Sequence, residues 1–369
     1  MATSFLFSLI LLLITALSLP FPLHASSVDP LSAGATTVRY WNRKIPNNAP
    51  HPDFFLSLLS PLPASVSSSL SSPLSISPSI CRSARLLCPN STYFQSLSST
   101  VFIDGCTFSY SCTFTYEHTN ITIKPGIFFR EQELKEGNVV RMPDIANELT
   151  TARSSFLPRS IADRIPFKAE AVKSLFGLEP NTTLAKAVDE TVAQCQSSPS
   201  KGETKRCVTS AEDMIDFAVA MLGDDIVVRS TVLPNGPGES IMIGKVKGIN
   251  GGKITSSVSC HEYLFPYMVY YCHSVPKIRV YEAEILSVQT KEKINSGVAI
   301  CHIDTSAWNA GHPAFVALGG KPDLLRLNVS SCLPLESSES LLEDDATVFV
   351  EEEEDLGEVI ELPKTDPLS

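Results

Sequence analysis

Three Cys-His dipeptides are the residues of this sequence best suited to chemistry: Cys260-His261, Cys272-His273 and Cys301-His302. Ten residues separate the first two dipeptides and 27 separate the second and third, and three of the seven histidines directly follow a cysteine. A fourth histidine lies ten residues after His302. Because neutral imidazoles are good ligands for copper and zinc, four histidines are candidate metal ligands: His261, His273, His302 and His312.

If these dipeptides lie in strands, the cysteine and histidine side chains point to opposite faces of the sheet. Adjacent side chains in a strand point to opposite faces of the sheet, so a Cys-His step can send the sulfur into the core and the imidazole to the other side. The cysteines would then staple the sheet while the histidines collect on one face. Two other interpretations stay open. One is disulfides with incidental histidines, and the other is zinc ligation by both residue types, which is less favoured because exported thiols oxidise.

The N-terminus indicates export. Residues 1–25 contain an apolar run from Phe5 to Leu19, and a small residue, Ala25, follows it. This pattern is typical of a cleaved secretory signal peptide, with an N-terminal membrane anchor as the alternative. The run is short for a membrane span of about 20 residues. We therefore expect a secreted, extracellular protein that has no membrane association after cleavage.

Cysteines and sequons agree with export. The chain has ten cysteines, and disulfides are the default interpretation in an exported protein. Cys195 and Cys207 bracket an eleven-residue segment rich in Ser, Lys and Gly between two predicted helices, and we expect them to pair. Three further cysteines are disulfide candidates whose partners the spacing leaves open: Cys260, Cys272 and Cys301. Four sequons are candidate glycosylation sites: Asn90, Asn120, Asn181 and Asn328.

Charge and composition divide the chain into segments. The net charge is −11, but residues 336–369 hold 13 Asp and Glu against one Lys, which leaves 27 acids and 28 bases elsewhere. The near-neutral body gives no indication of nucleic-acid binding, and the acidic run predicts a solvated, disordered tail. Residues 26–125 form a Ser/Pro-rich, Cys-bearing segment, and within it residues 26–80 are expected to be poorly ordered.

Periodicity predicts the elements that position the histidines. Helical spacing covers Thr183–Cys195, and a second helix begins at Ser210 and ends at Gly223. Asn250-Gly251 predicts a hairpin turn between two of the strands that follow. We expect an α+β domain with a mostly antiparallel sheet and a few helices. Its predicted strands are short and rich in Val, Ile, Thr and Tyr: Ile226–Leu233, Ser240–Ile249, Lys253–Cys260, Met268–Cys272, Lys277–Leu286 and Val298–Ile303.

The dipeptide spacing resembles the BURP domain, a plant-specific family, and Phe128-Phe129 resembles the paired Phe at its start. Within the family the chain most resembles the non-catalytic beta subunits of polygalacturonase. The resemblance covers Gly126 to Leu318, so residues 126–335 are assigned to the domain. The stretches that carry it include FFREQELKEGNVVRMPDI, GETKRCVTSAEDMIDFA and CHEYLFPYMVYYCHSVPKIRVYEAEIL.

The sequence departs from this family at both ends. Phe-x-x-Tyr repeats precede the domain in the subfamily and are nearly absent here. The family also ends with a fourth Cys-His and a closing strand, where this chain has Asn328-Val329 and an acidic tail. Cys332 could replace the missing cysteine only if the chain bends by four residues. We therefore expect an exposed sheet edge and a fold less stable than its relatives.

The resemblance implies a non-catalytic protein of the cell wall, or apoplast. Its expected partners are pectic polysaccharide or a wall enzyme such as polygalacturonase, with an influence on wall structure and growth. The alternative is a copper-dependent autocatalytic peptide cyclase of the BURP type. The candidate cofactor for the histidines is copper or zinc. Hydrolysis is not favoured, because glycosidases need a pair of positioned carboxylates and Asp224-Asp225 follows a helix end, where a turn is expected.

Overall fold

The computed structural model describes residues 31–65, 77–89, 128–141, 154–230, 240–306, 308, 313–319, 331–334 and 347–351. Its helices are, in chain order, α1 (Ala33–Lys44), α2 (Asp53–Leu58), α3 (Pro78–Ser83), α4 (Arg159–Ala162), α5 (Ala169–Phe176), α6 (Thr183–Gln196), α7 (Ala211–Leu222) and α8 (Pro313–Leu318). Short 3₁₀ turns span Glu131–Glu133 and Ile249–Gly252.

The strands form two antiparallel sheets. They are β1 (Phe129–Arg130), β2 (Val139–Arg141), β3 (Thr204–Val208), β4 (Ile226–Ser230), β5 (Ser240–Gly248), β6 (Ser257–Tyr263), β7 (Val269–Ser274), β8 (Ile278–Ser287), β9 (Lys293–His302), β10 (Ser331–Pro334) and β11 (Thr347–Glu351). One sheet has six strands in the order β1-β10-β9-β8-β5-β2, and the other has five in the order β3-β7-β6-β11-β4. The predicted α+β class with mostly antiparallel strands is confirmed.

Helices cover both faces of the five-stranded sheet. Alternation along β7 turns Tyr270 and Cys272 to one face, where they share an apolar cluster with α7, α1 and α2. Val269 points the other way and belongs to a second cluster with α4, α5 and α6. Ser210 begins α7 by accepting a hydrogen bond from the Asp213 N–H, and Gly223 ends it at a φ of 87°, as the sequence predicted.

The N-terminal segment differs from its prediction of poor order. Residues 31–65 form α1 and α2, and Trp41 and Phe55 lie in the core with their rings 4.8 Å apart. The backbone is bonded to the domain as well, since the Phe156 N–H donates to the Leu58 carbonyl. The sequence of this segment shows little periodicity. Its few large apolar side chains nevertheless pack against α7 and β7, and their burial stabilises the ordered conformation.

The predicted hairpin at Asn250-Gly251 is wrong. Both residues adopt left-handed backbone conformations, with φ of 50° and 66°, as such a turn requires. However, β5 before the turn pairs with β8 and β2, whereas β6 after it pairs with β7 and β11. The turn therefore carries the chain from one sheet to the other, because strand partners are chosen by tertiary burial and not by the turn alone.

The C-terminal region also contains more structure than expected. β10 pairs with β9 and β1, so the prediction of a lost closing strand is wrong for Ser331–Pro334. β11 lies between β4 and β6, which corrects the prediction of a wholly disordered tail for Thr347–Glu351. This short apolar run has strand-forming residues, and its backbone groups complete two ladders. The rest of residues 336–369, and the signal peptide assigned to residues 1–25, lie outside the described residues.

None of the helices among the described residues is long and apolar enough to cross a membrane.

Candidate functional site

The first two Cys-His dipeptides lie on adjacent strands of the five-stranded sheet. In the register of β6 and β7, Cys260 is opposite Cys272, His261 is opposite Tyr271 and His273 is opposite Ser259. Both sulfurs are fully buried on the α7 face. Because successive side chains alternate between faces, the two histidines share the opposite face. The expected division between sulfur and imidazole therefore holds for these two dipeptides.

The two imidazoles meet as a diagonal pair across the strands. His261 Nε2 and His273 Nε2 are 3.3 Å apart, and the ring centroids are 5.3 Å apart. Burial, together with the charges of His273 and His302, lowers the pKa of His261 to about 3. His261 is therefore neutral above that pH. Its Nδ1 is buried without a hydrogen-bond partner among the described residues.

Glu203 holds the second histidine from the other side. Its carboxylate Oε1 lies 3.0 Å from His273 Nδ1 and accepts a 2.6 Å hydrogen bond from the Tyr271 hydroxyl. Its Oε2 accepts from the Ser200 N–H. Burial alone would raise the pKa of Glu203, but the bonds from His273 and Tyr271 outweigh it and lower the pKa to about 2. The ionised carboxylate favours a proton on Nδ1 of His273, which turns the lone pair of a neutral ring toward His261.

A disulfide and a lysine fix the loop that carries Glu203. Cys195 at the end of α6 and Cys207 in β3, the predicted pair, are joined with Cα atoms 5.6 Å apart. Lys205 Nζ donates to the Gln194 carbonyl and lies 5.2 Å from the Tyr271 ring centroid. The loop is thus held at both ends, so the carboxylate is positioned by rigid elements.

The third dipeptide belongs to the six-stranded sheet. Cys301 is fully buried and His302 is 8% exposed at the end of β9. His302 pairs with Ile278, the first residue of β8, and residues 275–277 connect β8 to β7. This connection brings His302 near enough to lower the pKa of His261. Its ring packs against Trp308 with centroids 4.9 Å apart. The fourth candidate ligand, His312, lies outside the described residues.

The histidine pair fits part of a metal site. Two imidazole nitrogens bound to one tetrahedral ion at about 2.0–2.1 Å lie about 3.3 Å apart, which matches the Nε2–Nε2 distance. A carboxylate on the other nitrogen of a ligating histidine, as Glu203 provides for His273, is the usual orienting partner. Within the described part of the chain, no group of three or more His, Cys, Asp or Glu is arranged to hold a metal ion. The pair thus supplies at most half of a ligand set.

The domain that carries this site matches a known family. A family model described as BURP domain matches residues 127–326, which is 200 of the 369 residues. The chain belongs to the BURP domain family.

Curated relatives are similar over the BURP domain. BURP domain-containing protein 12 of Oryza sativa subsp. japonica is 58% identical over 207 residues, 56% of this chain and 33% of that protein. Polygalacturonase 1 beta-like protein 3 of Arabidopsis thaliana is 54% identical over 206 residues, 55% of this chain and 33% of that protein. Polygalacturonase-1 non-catalytic subunit beta of Solanum lycopersicum is 54% identical over 206 residues, 55% of this chain and 32% of that protein. The chain spans about a third of the length of these relatives.

The BURP domain also holds the other cysteines predicted to be bonded. Cys260 and Cys272 form a disulfide across β6 and β7, with Cα atoms 4.0 Å apart. Cys301 is disulfide-bonded as well, and the register of β9 and β10 places Cys332 directly opposite it. Cys332 is therefore placed to pair with Cys301, although it lies four residues after the position of the family's fourth cysteine.

The predicted glycosylation sites divide by location. Asn181 is exposed, with a φ of 66°, and it directly precedes the N-cap of α6. An N-linked glycan could attach there without disturbing the core. The three other sequons lie outside the described residues: Asn90, Asn120 and Asn328.

Sequence reasoning missed the roles of Glu203 and Tyr271. Both lie inside stretches that carry the family resemblance, and Glu203 is four residues before Cys207. A single Glu in a polar loop belongs to no periodic pattern or motif, so its role could not be recognised from the sequence. The pairing of β3 with β7, which sets Thr204 opposite Ser274, is what brings it to the histidines.

Proposed function

We propose that this BURP protein is a secreted, non-catalytic protein of the plant cell wall that associates with a polygalacturonase-type enzyme and with pectic polysaccharide, and so influences wall structure and growth. The observation that carries the proposal is the similarity of its BURP domain to proteins named as non-catalytic subunits of polygalacturonase. The disulfides support an oxidising, extracellular setting.

The state of the buried carboxylate agrees with a non-catalytic role. The acid of a glycosidase needs a raised pKa so that it holds a proton to donate. Glu203 has the opposite property, since its pKa is lowered to about 2 and its oxygens accept bonds from Tyr271, His273 and Ser200. Burial raises the pKa of Asp213, but that carboxylate is bonded to Arg206 at 3.1 Å.

The test is a direct binding measurement with the secreted full chain. We expect it to bind a purified endo-polygalacturonase on a biosensor surface and to co-sediment with insoluble calcium polygalacturonate. Incubated alone with polygalacturonate, it should release no reducing ends. Release of reducing ends by the chain alone, abolished in a Glu203→Gln variant, would contradict the proposal. Failure to bind both the enzyme and the polysaccharide would also contradict it.

The histidine pair supports a second proposal, a copper or zinc site. His261 and His273 would hold the ion through Nε2, and His302 and His312 are the proposed further ligands. The supporting observations are the 3.3 Å separation and the neutral state of His261. Copper, when bound, would supply the redox chemistry that a BURP-type peptide cyclase requires.

The metal content of the secreted protein tests whether the histidines form a copper or zinc site. We expect the secreted protein to hold copper or zinc at near-stoichiometric amounts by mass spectrometry of the metal. His273→Ala should lower occupancy while the fold persists, because Cys272 still joins β7 to β6. His51→Ala, distant in sequence and packed on Trp41, is the control. Full retention of metal after all four histidines are changed to Ala would exclude the site, and a copper-dependent mass decrease on a Tyr or Trp peptide would favour the cyclase.

A further inference from the structure

The N-terminal helix α1 carries two arginines that form no ion pair within the part of the chain that the structure describes. Arg39 and Arg43 are four residues apart, so they lie on one face of the helix, about 6 Å apart along its axis. Both are exposed. Arg39 donates to the Thr36 hydroxyl, and the guanidinium carbon of Arg43 lies 5.0 Å from the Tyr40 ring centroid. The helix dipole accounts for a cation in the last turn, where Arg43 lies, but not for Arg39.

Two further cations, from α1 and α4, gather around the same ring. Lys44 Nζ is 5.5 Å from the Tyr40 ring centroid, and the guanidinium carbon of Arg159 is 5.2 Å from it. Asp216 of α7 pairs with Lys44 at 3.1 Å and with Arg159 at 2.8 Å. It also accepts a hydrogen bond from the Tyr40 hydroxyl, which fixes the ring among the cations. We call these four residues the Tyr40 cation cluster: Arg39, Arg43, Lys44 and Arg159.

The carboxylates near the cluster leave it with an excess of positive charge. Asp216 is shared by two of the four cations. Asp213, three residues earlier on α7, pairs with Arg206 at 3.1 Å. Asp225, after the end of α7, accepts a hydrogen bond from Asn47. The charges of the two exposed arginines of α1 are therefore not balanced by the described residues. Such an excess raises the local concentration of anions.

The chemistry of the cluster favours an anion that carries several carboxylates. A guanidinium group presents a planar pair of N–H donors that matches a carboxylate, and these charge-assisted bonds are stronger than bonds between neutral groups. The arginines stay charged in acidic surroundings as well. Because Arg39 and Arg43 are separate donors on one helix face, a polymer with repeated carboxylates can contact both at once. A neutral polysaccharide offers no charge to either.

We propose that the Tyr40 cation cluster binds polygalacturonate, the de-esterified pectic polysaccharide, through its uronate carboxylates. This assignment rests on the proposed function, in which the protein associates with pectic polysaccharide, and it gives that association a surface. Helix α1 lies outside residues 127–326, which match the family model, whereas Arg159 of α4 lies within them. The N-terminal segment thus completes the binding surface, and the BURP domain alone carries only one of its four cations.

Calorimetric titration of the secreted full chain with a soluble oligogalacturonate at low salt tests the proposal. Changing Arg39 and Arg43 together to Gln should weaken binding about ten-fold, because each change removes a charge-assisted contact. At 0.5 M salt the binding of the unmodified chain should weaken several-fold, because salt screens exposed charges. A fully methyl-esterified oligogalacturonate has no free carboxylates and should give no measurable heat of binding.

A matched control separates the cluster from net charge. Lys135→Gln with Lys253→Gln gives the same change in charge at two exposed lysines beside the six-stranded sheet, and it should bind like the unmodified chain. Equal weakening in the two double variants would overturn the proposal. Tighter binding of polyglutamate than of oligogalacturonate would overturn the choice of a uronate ligand.

Two outcomes distinguish this inference from the proposed function on which it rests. If the chain binds oligogalacturonate and the double change of Arg39 and Arg43 leaves the affinity unaltered, the surface is wrong and the association with pectic polysaccharide stands. If the unmodified chain does not bind oligogalacturonate, both the surface and the polysaccharide part of the proposed function are wrong. Binding to polygalacturonase, measured on the same samples, then decides the remaining part. Equal unfolding midpoints of all variants verify that the exposed changes leave the fold intact.

Discussion

Helices enclose the five-stranded sheet on both faces, whereas no α-helix of the described residues shares the apolar clusters of the six-stranded sheet. Two ion pairs, one beside each sheet, differ in exposure. The side chains of His273 and Glu203 are 13% and 8% exposed, but those of Lys277 and Asp304 are 57% and 37% exposed. The histidine pair therefore lies in the sheet that helices cover on both faces. A site that must hold two imidazoles at a fixed distance benefits from that enclosure, because rigid neighbours fix their rotamers.

The largest expected effect concerns the N-terminal layer over the five-stranded sheet. Trp41→Ala should destabilise the fold by about 3–5 kcal/mol, because it leaves a cavity against Phe55 in the core. Denaturant unfolding followed by circular dichroism measures this. Leu31→Ala is the control, since Leu31 is 78% exposed. Equal stability of the two variants would mean that α1 is not part of the core and that the two sheets are not covered differently.

The disulfide beside the site gives the next effect. Replacing Cys195 and Cys207 with Ser should lower the free energy of unfolding by about 3 kcal/mol. The two cysteines are 12 residues apart in sequence, and the chain-entropy model gives about this value for a loop of about 15 residues. It should also free the loop that carries Glu203, so the imidazole NMR signals of His273, which contacts Glu203, should shift. Peptide mapping without reduction checks the bond itself. Recovery of either cysteine as a free thiol from the secreted protein would contradict the assignment.

The elements with local signals were predictable from the sequence. Ser210 and Gly223 bound α7 as their capping chemistry indicates. The predicted strand over Lys277–Leu286 is observed as Ile278–Ser287, a shift of one residue. Such features depend on residues close together in the chain, which is why their types and spacing were enough.

The partition into two sheets could not be predicted, because it depends on contacts distant in sequence. Asn250-Gly251 has the right turn residues, but the strands on its two sides find partners in different sheets. The same holds for Glu203, which reaches His273 across 70 residues of sequence. The candidate metal ligands could be predicted only as a list of histidines, of which the structure brings His261 and His273 into contact.

A smaller, pH-dependent effect is expected from Glu203. Its folded pKa, about 2, is below the ordinary value of 4.5, so its contribution to stability is present above about pH 4.5 and is lost as the pH falls toward 2. Glu203→Gln should remove a contribution on the order of 2 kcal/mol at neutral pH and flatten the acid limb of the stability curve. Unfolding free energies measured from pH 6 to pH 2 give the comparison. An unchanged acid limb would show that the buried pair contributes nothing.

The exposed ion pair of Lys277 and Asp304, beside the six-stranded sheet, should have the smallest effect on stability. It is the exposed counterpart of the buried pair of His273 and Glu203. Hydrogen bonds from Lys277 and Ser306 lower the pKa of Asp304, so the pair contributes above the ordinary carboxyl range and loses that contribution as the pH falls. Solvent screening limits an exposed pair to less than about 1 kcal/mol. Lys277→Ala should therefore change the free energy of unfolding by less than this at low salt and by nothing measurable at 0.5 M salt. A salt-insensitive loss as large as that of Glu203→Gln would mean that exposure does not distinguish the two sheets.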